Sequence, residues 1–138
     1  MINELLRTEI VAQAQNRCGY CLARQEYMPS LLEVEHITPR AKGGTDDKEN
    51  LWLACRACNL RKSSQTHGID PLTNRELPLF NPRKQRWFQH FQWSGDGTLI
   101  IGRTACGRAT VITLDLNNFV AVTVRRNWVS VGWHPPRK

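Results

Sequence analysis

Long apolar runs are missing from this 138-residue chain. Stretches such as Leu99-Ile100-Ile101 and Val120 to Val124 fall far short of the roughly 20 apolar residues that a membrane-spanning helix needs. Residues 1–16 alternate charged and apolar side chains and lack the uninterrupted apolar stretch of a secretion signal, so a cytoplasmic protein with no membrane partner is expected. Internal repeats, low-complexity tracts and flexible linkers are absent as well, which leaves one domain or a compact core with one appendage. Acidic residues are scarce in one region only. Residues 83–138 carry nine Lys/Arg against Asp96 and Asp115, whereas residues 1–82 balance ten against ten, so the entire net charge of +7 arises near the C-terminal end. A basic balance attracts polyanions, of which nucleic acid is the common one. With 41% hydrophobic residues the chain can bury a real core, which excludes wholesale disorder.

The spacing of Leu5, Leu6, Ile10 and Val11 predicts an amphipathic helix over 3–16, with Asn3 as its N-cap. After the knuckle Cys18-Gly19-Tyr20-Cys21, residues 31–37 alternate as a short strand: Leu32, Val34 and His36 face one way, Glu33 and Glu35 the other. Pro39 ends it, Gly43-Gly44 and Asp46-Asp47 form a loop, Leu51-Trp52-Leu53 is the returning strand, and a short helix follows Cys55-Arg56-Ala57-Cys58. Residues 63–82, with Pro71, Pro78 and Pro82, read as loop. Asn81-Pro82 is suited to start a helix reaching Phe88. Ser94-Gly95-Asp96-Gly97 is a turn between Phe91-Gln92-Trp93 and Thr98 to Ile101, a β-hairpin. Two helices are expected near 107–114 and 118–130, the second carrying Phe119, Val120, Val124, Trp128 and Val131 on one face.

Four of the five cysteines form two Cys-x-x-Cys pairs, Cys18/Cys21 and Cys55/Cys58. Four converging thiolates satisfy tetrahedral zinc, and each knuckle lets two sulfurs reach one ion without backbone strain. A structural Zn²⁺ site is therefore expected, the alternatives being a pair of redox motifs or four unligated core cysteines. Cys106 stands apart and reads as a small buried residue.

Between the pairs stand Glu35-His36-Ile37-Thr38-Pro39, Gly43-Gly44, Asn50-Leu51 and, from the second pair, Cys58-Asn59-x-x-Lys62. In this order they resemble the HNH endonucleases, over residues 17–66. Members of that family fold as a ββα-metal motif, often clasped by a four-cysteine zinc site. With the helix read before this motif and the small mixed α/β tail with its β-hairpin read after it, the expected fold class is α+β. The resemblance also implies a metal-dependent endonuclease, a phosphodiester hydrolase leaving a 3′-hydroxyl and a 5′-phosphate. His36 takes the position of the general base that activates water, a task suited to neutral imidazole near pH 7. Asn50 matches the residue that fixes the loop bearing the base. Glu35 and Asn59 match the ligands of a catalytic divalent ion, and hard oxygen donors favour Mg²⁺ or Mn²⁺. Asn59 replaces a common His, making a His-Asn-Asn variant, and Glu35 replaces the commoner Asp. Glu33, on the same strand face, is a fallback ligand. A kink or bulge in the strand would be needed for Glu35 and His36 to converge on one phosphate.

Double-stranded DNA is the expected partner, and one such site cuts one strand, so a monomer should nick. Arg40, Lys42, Arg61 and Lys62 in the motif, and Arg83, Lys84, Arg86, Arg125 and Arg126 beyond it, are candidate phosphate contacts, with His67 a further candidate for phosphate or metal. The expected division is 1–76, helix plus zinc-bound nuclease motif, and 77–138, a basic, tryptophan-rich extension packing on it. The extension holds four of the five tryptophans, which suit a second core, a DNA cradle, or both. His90 is expected to anchor that packing. The charge of the extension is expected to supply much of the DNA affinity. The alternative function is a catalytically weak or inactive zinc-stabilised DNA-binding module.

Overall fold

A computed structural model describes residues 2–136. The chain divides into two units with separate cores: one runs to Thr66 and includes Asn81–Gln85, and the other holds His67–Phe80 with the residues from Arg86 onward. The expected division at 76/77 thus falls at Thr66/His67 instead.

The first unit begins with α1 (Glu4–Gln13). Asn3 caps it, its side-chain oxygen accepting the Leu6 N–H at 2.8 Å. Ile10 is fully buried where α1 packs on the hairpin, and Arg7 donates to the Leu32 carbonyl at 2.8 Å. Gln15 and Asn16 then enter the left-handed region and turn the chain into the first cysteine knuckle. Strands β1 (Glu33–His36) and β2 (Leu51–Ala54) pair antiparallel, Glu33 opposite Ala54 and His36 opposite Leu51, and α2 (Arg56–Lys62) follows at once. Leu32, Leu51, Leu53 and Ala54 are buried beside Ile10 and form this small core. Gly19 is required at the knuckle: a Cβ there would run into the Trp52 indole and, at 2.7 Å, the Pro82 ring.

The second unit comprises β3 (His67–Ile69), β4 (Glu76–Pro78), α3 (Trp87–His90), β5 (Phe91–Trp93), β6 (Ile100–Gly102), α4 (Ala105–Thr113) and α5 (Phe119–Ser130). β3 pairs with β4 and β5 with β6, so the whole chain is α+β with three two-stranded sheets among the described residues. Its core is aromatic: Phe80 meets Phe91 edge-on at 5.1 Å between centroids, and Trp87 lies 5.0 Å from Phe91 and 5.2 Å from Trp93. His90 contributes as expected, its ring 5.7 Å from Phe80 and its Nδ1 2.7 Å from the Thr104 hydroxyl. Trp133, by contrast, is 51% exposed.

Three expectations require correction. The segment read as loop holds the β3–β4 hairpin, whose three-residue strands are too short to leave an alternation in the sequence. The turn is organised by fully buried Asp70, which accepts the Thr73 hydroxyl at 2.7 Å and two Arg108 nitrogens at 2.9 and 3.0 Å. The Arg108 guanidinium holds that carboxyl well below the usual carboxylate range and ties the hairpin to α4. No helix starts at Pro82, because the Asn81 side chain closes a single turn on the Arg83 and Lys84 N–H groups (3.0 and 3.2 Å) and the helix forms only at Trp87. In α5, Phe119 and Val120 are exposed, and the buried residue is Arg125.

Arg125 is 4% exposed, donates to the carbonyls of Thr98 (3.0 Å) and Leu116 (2.6 Å), and lies over the Trp93 ring at 5.7 Å. Its assignment as a DNA contact is therefore corrected: it is an internal strut. No described helix is long and apolar enough to cross a membrane. Arg125→Met should strand two buried carbonyls and lower stability by at least about 2 kcal/mol in denaturant titrations followed by tryptophan fluorescence. A stability within about 0.5 kcal/mol of the parent protein would contradict this role.

Candidate active site and thiolate cluster

The sulfurs of Cys18, Cys21, Cys55 and Cys58 all lie within 4.8 Å of one another. Cys21 and Cys55 are 3.8 Å apart, which matches the edge of a tetrahedron with metal–sulfur bonds of about 2.3 Å. Backbone N–H groups point at the sulfurs: Tyr20 (3.4 Å) and Cys21 (3.5 Å) at Cys18, and Cys58 (3.4 Å) at Cys55, which is also the N-cap of α2. Burial pushes the Cys18 thiol up. Hydrogen bonding among the sulfurs, followed by burial, pushes Cys58 up, whereas bonds from Cys18 and Cys21 pull Cys55 far below an ordinary thiol. Four sulfurs placed in this way are a donor set that could hold a structural metal such as zinc. Cys106 lies outside the cluster and is half-buried rather than buried.

The clasp positions the β1–β2 hairpin, at whose open end stands His36. The His36 Nε2 lies 2.8 Å from the Asp46 Oδ1, and Arg40 grips both oxygens of Asp46 at 2.7 and 2.6 Å. The intervening loop is stapled by Asn50. Its Oδ1 accepts the Thr38 N–H at 2.8 Å, and its Nδ2 donates to the carbonyls of Thr38 (2.9 Å) and Thr45 (2.8 Å). Gly44 permits this closure, since a Cβ there would strike the Thr38 carbonyl and come within 2.9 Å of the Asn50 Nδ2. Asp46 escaped the sequence reading, where it was only a loop acid. The signal that could have found it is the Gly43-Gly44 reversal, which sends the chain back past the end of β1.

The carboxylates are arranged differently from expectation. β1 pairs with β2 in unbroken register, without a bulge, so Glu33 and Glu35 share the face opposite His36. Glu35 is 1% exposed: its Oε1 accepts the Tyr20 hydroxyl and its Oε2 lies 3.3 Å from the Lys62 Nζ. Burial raises the Glu35 carboxyl, with Lys62 opposing, and burial next to Glu35 raises the Tyr20 hydroxyl. Asn59 turns instead to Glu33, donating its Nδ2 to Oε1 at 2.9 Å, while Arg56 lies 3.3 Å from the other oxygen. The expected Glu35–Asn59 ligand pair is thus not assembled, because regular alternation and the reach of the glutamate carry the Glu35 carboxylate into the core. Lys62 is corrected likewise. Its side chain is 3% exposed and its Nζ donates to the carbonyls of His36 and Ile37, both at 3.0 Å.

Among the remaining basic candidates, Lys42, Arg61, Lys84, Arg86 and Arg126 are exposed, and exposed Arg40 is engaged by Asp46. Arg83 is half-buried and structural: it donates to the Leu51 carbonyl at 3.1 Å and to Gln13 at 2.7 Å, and stacks over Trp52 at 5.0 Å. His67 falls in β3 of the second unit.

Comparison with known proteins points to the same segment of the chain. The family model described as HNH endonuclease matches residues 18–65. A CRISPR-associated endonuclease Cas9 from Corynebacterium diphtheriae is 34% identical over 67 residues, which is 48% of this chain and 6% of that protein. The chain therefore spans only a small fraction of the length of the curated relative that it matches. No solved structure matches. The cysteine clasp, the two-stranded hairpin and the helix that follows it thus lie within residues 18–65, the stretch that matches the HNH endonuclease family model.

Proposed function

We propose that this protein hydrolyses phosphodiester bonds in DNA, with His36 as the general base and a Zn²⁺ ion in the four-cysteine clasp. The observation that carries this reading is the His36–Asp46 pair, 2.8 Å apart, at the end of a hairpin stapled by Asn50. A carboxylate at that distance takes the Nε2–H and leaves Nδ1 with the lone pair that accepts a proton from water. Asp46 steadies the imidazole and favours its protonated form once the proton has moved, while Arg40 keeps Asp46 in place. Asn50 holds the ends of the loop, so the base and its carboxylate keep one geometry.

The hydrolysis also needs positive charge on the scissile phosphate as negative charge builds. A divalent ion such as Mg²⁺ or Mn²⁺ supplies it when bound. Glu35 does not fit such an ion, since both of its oxygens face buried partners. Asn59 and Glu33 do fit: the Asn59 bond to Glu33 uses the amide N–H and leaves its carbonyl oxygen, and the Glu33 side chain is 32% exposed. Exposed Lys42, Arg61, Lys84, Arg86 and Arg126 are suited to phosphate contacts, and binding through them would weaken steeply with salt. One site attacks one strand, so the expected product is nicked duplex with a 3′-hydroxyl and a 5′-phosphate. The withdrawal of Glu35 into the core favours a second reading, a zinc-stabilised DNA-binding module with little catalysis.

Two measurements bear on these readings. Supercoiled plasmid with Mg²⁺ or Mn²⁺ should be nicked by the parent protein and about 10²–10⁴-fold more slowly by His36→Ala, with Asp46→Asn in between. Plasmid that is bound but left uncut by all three proteins would select the binding module. Metal analysis should find one zinc per chain, released by a mercurial reagent, and Cys58→Ser should lose it along with the helix of residues 56–62. Purified protein with four free thiols, no metal and an intact first unit would overturn the zinc assignment.

A further inference from the structure

Lys62 and Glu35 are the buried charged groups of the first unit, and the proposed chemistry leaves them without a role; their side chains are only 3% and 1% exposed. Taking an ammonium and a carboxylate out of water carries a large desolvation cost, and apolar residues of the same size would serve a core equally well. An ammonium has three N–H donors, and those of Lys62 have three acceptors: the His36 carbonyl at 3.0 Å, the Ile37 carbonyl at 3.0 Å and Glu35 Oε2 at 3.3 Å. The other Glu35 oxygen accepts the hydroxyl of Tyr20, a residue inside the first cysteine knuckle. A complete donor set at this depth is a built site, and its target is the backbone that carries the base.

We propose that Lys62, held by Glu35 and Tyr20, is a positioning residue for His36 rather than a contact to nucleic acid. The inference rests on the reading of His36 as the base. Two carbonyls drawn to one ammonium fix the peptide planes on the C-terminal side of His36. They thereby fix the direction in which its Cα–Cβ bond leaves β1, towards Asp46. The Ile37 N–H is itself bonded to the Asn50 carbonyl at 2.8 Å, so the segment after the base is held from both sides. Glutamate rather than aspartate before His36 follows from this role, since the carboxylate must extend to Tyr20 and Lys62 within the core.

The test is the double variant Lys62→Met/Glu35→Gln, which removes both charges and leaves neither unpaired. Three quantities are read: the His36 ring ¹H–¹³C resonances, kcat on plasmid, and affinity for a labelled DNA duplex in EDTA at several salt concentrations. The expected result is a displaced His36 resonance and a kcat lowered by about 10²-fold, with duplex affinity and its salt slope unchanged. An unmoved His36 resonance with a salt slope reduced by about one would make Lys62 a phosphate contact and overturn the proposal. If the double variant fails to fold, Lys62→Arg keeps the charge and is read by the same criteria. Its bulkier head should shift the His36 resonance and spare the duplex affinity. If the parent protein cuts nothing, the reading of function fails, while the His36 resonance and duplex affinity still decide what Lys62 does.

Discussion

Four sulfurs drawn to within 4.8 Å are the constraint on which the first unit depends. The cysteines stand at the two ends of the elements that matter: Cys18 and Cys21 before β1, Cys55 and Cys58 at the turn from β2 into α2. Two strands of four residues and a helix of seven are each too short to persist alone in water. Closing the clasp brings them together, and metal binding at such a cluster is worth on the order of 10 kcal/mol, comparable to the whole stability of a small domain. The Gly19 N–H reaching the Leu53 carbonyl at 2.9 Å continues the same closure into β2.

The clasp does more than hold a fold. Its first knuckle contributes Tyr20, its second starts the helix that ends in Lys62, and Glu35 joins the two across the back of the hairpin. The front of the hairpin carries His36, Asp46 and Asn50. Polar bonds therefore run on both sides of a strand only four residues long. Such a strand has little packing of its own to set a side chain within the tolerance that proton transfer requires, and the flanking hydrogen bonds supply that definition.

Much of this was legible in the sequence, for reasons that can be named. The Cys-x-x-Cys pairs carry their own geometry, Asn3 caps α1 as a helix-starting residue should, and the Gly-Asp-Gly turn announces β5 and β6. The β3–β4 hairpin was hidden because three-residue strands leave no period and its turn depends on Arg108, thirty-eight positions away from Asp70. Site residues were missed for a related reason. Asp46 acquires meaning only once the loop closes on His36. Lys62 and Arg125 look like surface cations in any sequence reading, and their burial is decided by the carbonyls they meet in three dimensions. Strand alternation did place Glu33 and Glu35 on one face. Which of the two Asn59 would meet depended on how α2 crosses that face.

Amide hydrogen exchange on the zinc-loaded and chelated protein tests the central claim most directly. If the clasp organises the site, chelation removes protection from the Cys18 knuckle, β1, β2 and α2 together, and leaves β5, β6 and α4 protected. Persistent protection across β1 and β2 after the metal is gone would show that the hairpin stands without its clasp, and would contradict the account.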